Sequence, residues 1–196
     1  MAKLYFRYGV MGSSKSAQAL ITKFNYEEQG MRVWLIKPAA DTRNGKGKVV
    51  SRIGLEQSAD SITEEMDLYR IFRDREKEFN DVIIVDEAQF LQPHHVEELR
   101  DIVDHYNVPV FCFGLRTDFR TKLFPGSARL FELADSITEL KTVCTCGGKA
   151  TVNARLDAAG NVVTEGEQFF LGGNESYRPM CYKCWKKAWQ TEEEEK

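Results

Sequence analysis

The stretch Lys3-Leu-Tyr-Phe-Arg-Tyr8, running into Gly9-Val10-Met11-Gly12-Ser13-Ser14-Lys15-Ser16, decides the architecture of this chain. Its apolar and aromatic residues predict a strand over Lys3–Tyr8. Ala17, Leu20, Ile21 and Phe24 then recur at helical spacing as a core-facing stripe, and Gly30 offers a left-handed stop. The same alternation continues downstream. Arg32–Lys37, Asp81–Val85, Val110–Gly114 and Ser136–Lys141 read as short strands, and Ile62–Lys77 and Pro93–Tyr106 as helices. In the second helix Val96, Leu99, Val103 and Tyr106 share one stripe, and Pro93 suits the first turn. Asp41–Lys48 is a polar, glycine-bearing loop. Strands alternating with helices predict an α/β fold with a mostly parallel sheet flanked by helices.

The 196 residues allow one full domain with a small appendage. A hydrophobic fraction of 42% fills a core and 29% charged residues suit a wet surface, which excludes a disordered or collagen-like chain. Apolar runs such as Val82–Val85 fall far short of the ~20 residues that span a bilayer. Lys3 and Arg7 interrupt any signal-peptide core, so the expected location is cytoplasmic, with no membrane partner. A net charge of −3 and a pI near 5.7 argue against a nucleic-acid partner.

Gly9 to Ser16 resembles the phosphate-binding P-loop, Gly-x4-Gly-Lys-[Ser/Thr]. In such a loop successive backbone N–H groups and a helix N-terminus surround a phosphate. Lys15 would reach the β- and γ-phosphates, and the Ser16 hydroxyl would ligate Mg²⁺. Ser14 departs from the pattern, standing where the motif has its second glycine. Its place immediately before the helix predicts a negative, helical φ, which serine adopts without strain. The apolar strand Asp81–Val85 ends in Asp86-Glu87-Ala88-Gln89-Phe90, a Walker B arrangement in which Asp86 holds Mg²⁺ directly or through water. Glu87 is then placed to act as a base on whatever attacks the γ-phosphate. These motifs leave open whether that nucleophile is water or a substrate hydroxyl.

From Thr142 the composition changes. Glycines cluster, and four of the five cysteines form two tight pairs, Cys144/Cys146 and Cys181/Cys184. In a cytosolic chain such pairs read as thiols or metal ligands. Four thiolates can enclose a structural, tetrahedral Zn²⁺ that pins the 34-residue loop between the pairs. The division expected is therefore 1–141 for the α/β domain, 142–191 for a zinc-ribbon-like domain and 192–196 for an acidic tail. Cys112 reads as a core residue. His94 and His95 are adjacent and cannot act as an i, i+4 metal pair, so they read as solvated or capping groups. Trp185 and Trp189 read as packing beneath a short terminal helix.

Several signatures occur together in order: Gly-x-Met at the loop start, Asp41-Thr42-Arg43, Asp86-Glu87-Ala88-Gln89-Phe90, Gly114-Leu115-Arg116-Thr117-Asp118-Phe119-Arg120, Cys144-Thr145-Cys146, and Gly172-Gly173 before Tyr177. From Leu4 to about Lys187 the chain resembles the bacterial branch of the cytosolic, P-loop-plus-zinc thymidine kinases. The resemblance implies ATP on Gly9, Val10, Met11, Gly12, Ser13, Ser14, Lys15, Ser16, Asp86, Glu87, Ala88 and Gln89. It implies that Glu87 takes the proton from the thymidine 5′-hydroxyl. Met11, Phe90, Leu115 and Phe119 would wall the base, and Phe170, Leu171, Gly172 and Tyr177 would belong to a lid that closes over the nucleoside. Arg43 and Arg155 match basic positions near the site. A homotetramer and feedback inhibition by thymidine triphosphate are implied as well. The alternative is a P-loop ATPase or switch whose zinc ribbon binds nucleic acid or protein.

Overall fold

A computed structural model of the chain describes residues 1–42, 45, 47–75, 81–168 and 176–194. Six strands form one sheet: β1 (Leu4–Tyr8), β2 (Val33–Pro38), β5 (Asp60–Ile62), β6 (Val82–Val85), β7 (Val110–Gly114) and β8 (Ser136–Glu139). Their order is β5-β2-β6-β7-β1-β8, and every neighbouring pair is parallel. The expected mostly parallel sheet is present. Two smaller antiparallel sheets accompany it. One is the hairpin β3 (Lys48–Val50) and β4 (Glu56–Ser58); the other joins β9 (Val152–Leu156) to β10 (Val162–Val163) and β11 (Tyr177–Met180).

Side chains alternate across a strand, so each central strand feeds both faces of the sheet. Ile83, Val85, Val110 and Cys112 point toward one core, together with Leu4, Phe6 and Trp34. That core is closed by α2 (Leu68–Asp74), α3 (Pro93–Tyr106) and α4 (Pro125–Leu133), through residues such as Phe72, Leu99, Ile102 and Leu130. Val82, Ile84, Phe111 and Phe113 point the other way, against Ala19 and Leu20 of α1 (Lys15–Glu28) and Val49 of β3. Burial on both faces is why β6 and β7 read as unbroken apolar runs. Each such aliphatic or aromatic side chain contributes about 1.5–3 kcal/mol when removed from water.

Three local expectations change. The α1 stripe faces inward through Ala17, Ala19 and Leu20, whereas Ile21 and Phe24 are exposed. In the Ile62–Lys77 segment the first residue ends strand β5, and the helix runs only over Leu68–Asp74, capped by the Asp67 side chain accepting from the Arg70 N–H. The end of that segment lies outside the described residues. Helix α4 was not expected from the pattern. A terminal helix, α5 (Tyr182–Glu194), packs Trp185 against Val152, Ala154 and Met180, and Trp189 lies against it at 5.0 Å between ring centroids. Among the described residues no helix is long and apolar enough to cross a membrane.

Because all six strands run the same way, their carboxyl ends share one edge. The turns after β1, β6 and β7 therefore meet there, which is where open parallel sheets place ligands.

Candidate active site

The loop from Gly9 to Ser14 leaves β1 and enters α1. Gly12 takes φ +77°, a conformation that a Cβ disfavours. Ser14 also lies in the left-handed region, at φ 62° and ψ 24°. This overturns the helical φ expected there. The loop bends in the left-handed sense twice before the helix starts, at Gly12 and again at Ser14. Its carbonyl accepts from the Gln18 N–H at 2.9 Å, but its side chain makes no cap. Lys15 is buried, and its Nζ donates to the Val10 carbonyl at 2.9 Å.

Across the edge, β6 delivers Asp86 and Glu87. Asp86 is 4% exposed, and its Oδ1 has no hydrogen-bond partner among the described residues. Burial pushes its carboxyl up to about 7, with the Glu87 charge adding to the effect and the Ser16 hydroxyl and Lys15 opposing it. An orphaned carboxylate oxygen close to a hydroxyl is a hard-oxygen donor set that fits Mg²⁺. Glu87 takes φ 52° and ψ 38°, an uncommon geometry for a side chain of its size. Its carboxylate accepts from the Gln89 Nε2 at 2.5 Å, and Gln89 Oε1 accepts from the Leu115 N–H at 2.9 Å. The short 3-10 turn Ala88–Phe90 is wedged against α4 at Gly126. A Cβ on Gly126 would lie 2.5 Å from the Leu91 carbonyl oxygen and 2.8 Å from that of Ala88, so only glycine permits this backbone contact.

Two aromatic contacts involve residues expected at the site. Phe90 meets Phe124 edge to face, at 5.6 Å between centroids. Phe119 is 1% exposed, and the Arg155 guanidinium sits 3.8 Å from its ring centroid. Arg155 also donates to the Tyr177 hydroxyl at 3.0 Å and to the Glu167 carbonyl at 3.0 Å, tying β9 to the start of β11. Leu115 is held through its carbonyl, which accepts from the buried Ser127 hydroxyl at 2.6 Å. On the far side, Lys37 and Asp41 form a buried ion pair of 2.9 Å.

The four paired cysteines meet as expected. One ligand atom from each of Cys144, Cys146, Cys181 and Cys184 lies within 4.8 Å of the others. The backbone N–H of Cys146, then that of Cys181, draws the Cys144 thiol down to about 6, while hydrogen bonding to the Cys181 and then the Cys146 sulfur pushes Cys184 up to about 12. Four sulfurs this close cannot all be thiolates without a cation among them, and an all-sulfur tetrahedral set suits zinc. Cys112 is buried in the sheet, and burial holds its thiol far above the ordinary range.

The thymidine kinase family profile matches residues 2–185. A Thymidine kinase of Ruegeria pomeroyi is 47% identical over 189 residues, covering 96% of each chain. That of Enterobacteria phage T4 is 48% identical over 187 residues, covering 94% of this chain and 96% of its own. The relative in Agrobacterium fabrum is 46% identical over 186 residues, 94% of this chain and 96% of its own. The chain belongs to the thymidine kinase family. Among solved structures, the Pif1 helicase of Candida albicans overlaps 71% of this chain and 36% of its own at TM-score 0.41 and 15% identity, a likeness too slight to bear on the site.

In this kinase several of the expected residues touch one another. Asp86 senses Ser16 and Lys15 of the phosphate loop, and Glu87 is joined through Gln89 to Leu115. Phe119, Arg155 and Tyr177 form one contact network. Arg43, Phe170, Leu171 and Gly172 lie outside the described residues. The sequence reading missed Phe124, Ser127 and Asn153. Phe124 precedes Pro125-Gly126, a pair that reads as a turn and hides the helix it opens. Ser127 and Asn153 carry no motif; only their tertiary partners distinguish them.

Proposed function

We propose that this enzyme transfers the γ-phosphoryl group of ATP to the 5′-hydroxyl of thymidine, giving thymidine monophosphate for nucleotide salvage. The observation that supports the reading is the strained backbone of Glu87, next to the buried Asp86 and joined through Gln89 to Leu115. Strain of this kind persists where the surrounding structure enforces it, and it concentrates at functional sites.

Phosphoryl transfer needs little covalent help from a protein; it needs positioning and charge stabilisation. The N–H groups of Gly12 and of Ser14–Ser16 would cradle the phosphates, those of Gly9, Met11 and Ser13 being bonded within the protein. Lys15, now on the Val10 carbonyl, would turn its ammonium to the β- and γ-oxygens. Ser16 and Asp86 would hold Mg²⁺, which supplies positive charge to the triphosphate when bound. Glu87 accepts the proton of the 5′-hydroxyl as its oxygen attacks phosphorus, and Gln89 keeps the carboxylate oriented. Met11, Phe90, Leu115 and Phe119 wall the base, with Phe124 behind Phe90. Residues 1–141 form the ATP-binding domain in this reading. Residues 142–191 carry the lid, anchored by zinc on Cys144, Cys146, Cys181 and Cys184, and close over the nucleoside to exclude water. Family membership supports a cytoplasmic homotetramer inhibited by thymidine triphosphate.

Incubation with γ-labelled ATP and thymidine tests the reading. Label in thymidine monophosphate is the expected result. Label in free phosphate alone, unchanged by added nucleoside, would favour a P-loop ATPase or switch instead.

A further inference from the structure

Asn153 sits on β9 and is 3% exposed. Its neighbours Val152 and Ala154 point into the small core beneath α5. Alternation along the strand therefore turns Asn153 and Arg155 to the opposite face, toward the six-stranded sheet. There the Asn153 Oδ1 accepts from the Met11 N–H at 2.7 Å, and its Nδ2 donates to the Thr117 carbonyl at 3.1 Å. The partners fix the orientation of the carboxamide, since a flip would oppose donor to donor and acceptor to acceptor. One side chain thus spans a residue 142 positions away in the phosphate loop and one 36 positions away in the segment between Leu115 and Phe119. A cavity of about 10 Å³, bounded by Gly9, Arg116 and Thr151 among others, is also lined by Asn153 and Thr117. Val10, one residue before Met11, inserts into the core beneath α5.

We propose that Asn153 is a positioning residue, clasping the phosphate loop at Met11 and the base-wall segment at Thr117 in one register. It acts through those two backbone groups and touches no reacting atom. The proposal rests on the phosphoryl-transfer reading, because its consequence is alignment of the phosphate donor with the nucleoside. Misplacement by about 1 Å at such a junction costs on the order of a hundredfold in rate.

The test uses the zinc-loaded full chain, with Asn153→Leu removing both bonds at similar volume and Asn153→Asp keeping the acceptor for Met11. Turnover in Asn153→Leu is expected to fall at least tenfold, with both KM values within threefold of wild type. Asn153→Asp should recover part of the loss. Hydrogen exchange at the Met11 amide should quicken at least tenfold in the leucine variant and less in the aspartate variant. Wild-type turnover in Asn153→Leu, or unchanged Met11 exchange, would overturn the clasp, even if the melting temperature drops. If Asn153→Leu does not fold, Asn153→Asp carries the test through the Thr117 bond, and wild-type turnover there overturns the proposal. Failure of the wild-type enzyme to label thymidine would instead overturn the reading on which it rests.

Discussion

Gln89 couples Glu87 to Leu115: its Nε2 donates to the Glu87 carboxylate while its Oε1 accepts from the Leu115 N–H. The residue is 1% exposed, so these bonds are made away from competing water. The carboxylate that the proposed chemistry needs is thereby held in register with Leu115, a residue of the proposed base wall.

Glu87→Gln should leave nucleotide and nucleoside binding near wild type and lower turnover by about 10²–10⁴, the usual effect of losing a general base. Steady-state kinetics with binding isotherms would check it. Wild-type turnover at saturating substrates would move the base elsewhere. Gln89→Leu should cost roughly tenfold in turnover by freeing the carboxylate, about 1.4 kcal/mol.

Ser14 holds a left-handed backbone that costs a non-glycine residue about 1–2 kcal/mol. Glycine removes that cost but gives back part of it through the greater freedom of its unfolded chain, about 0.5–1 kcal/mol. Ser14→Gly should therefore stabilise the enzyme by about 0.5–1 kcal/mol, read as a shift in urea midpoint at constant slope. Equal or lower stability in the variant would mean that the serine geometry carries no penalty.

The four-cysteine cluster should hold one zinc per chain, measured by elemental analysis of freshly purified protein. Cys181→Ser or a strong chelator should open residues 144–185 to proteolysis and raise the thymidine KM at least threefold more than that of ATP. Protein free of stoichiometric zinc yet fully active would remove the metal from the account.

His95 predicts an acid-side loss of stability. Its Nδ1 accepts from the Gln92 N–H at 3.2 Å, and its Nε2 bonds the Met66 carbonyl at 3.0 Å, a pairing that requires the neutral ring. Burial first, and His94 second, hold its pKa below the ordinary 6.5. A depressed folded-state value means that the contribution is present above about pH 6.5 and is lost as pH falls through and below it. Urea titrations between pH 7 and 5 should show this slope, and His95→Gln should flatten it. An unchanged slope would assign the acid lability to other groups.

Much of this was legible in order of burial. Val82–Val85 and Val110–Gly114 announce themselves because both faces of each strand are covered and every residue must be apolar. Asp60-Ser61-Ile62 does not, because an edge strand pairs on one side and leaves its other residues to solvent. Asp86 and the cysteine pairs were readable because their chemistry demands particular residue types at short spacing. The φ of Ser14 was not, since it is set by how the whole loop turns. Asn153 was invisible because its meaning lies in Met11 and Thr117, which only the fold brings to it.

The register of β1 has a consequence for synthesis on the ribosome. Leu4 pairs with Val110, and Tyr5 with Phe111 and Ser136, so the first strand to emerge finds its partners roughly a hundred or more residues later. At translation rates of about 5–20 residues per second, that leaves Leu4–Tyr8 without its sheet neighbours for roughly 5 to 20 seconds. During that interval an apolar, aromatic segment has no sheet neighbour to cover it and is open to contact with other nascent chains.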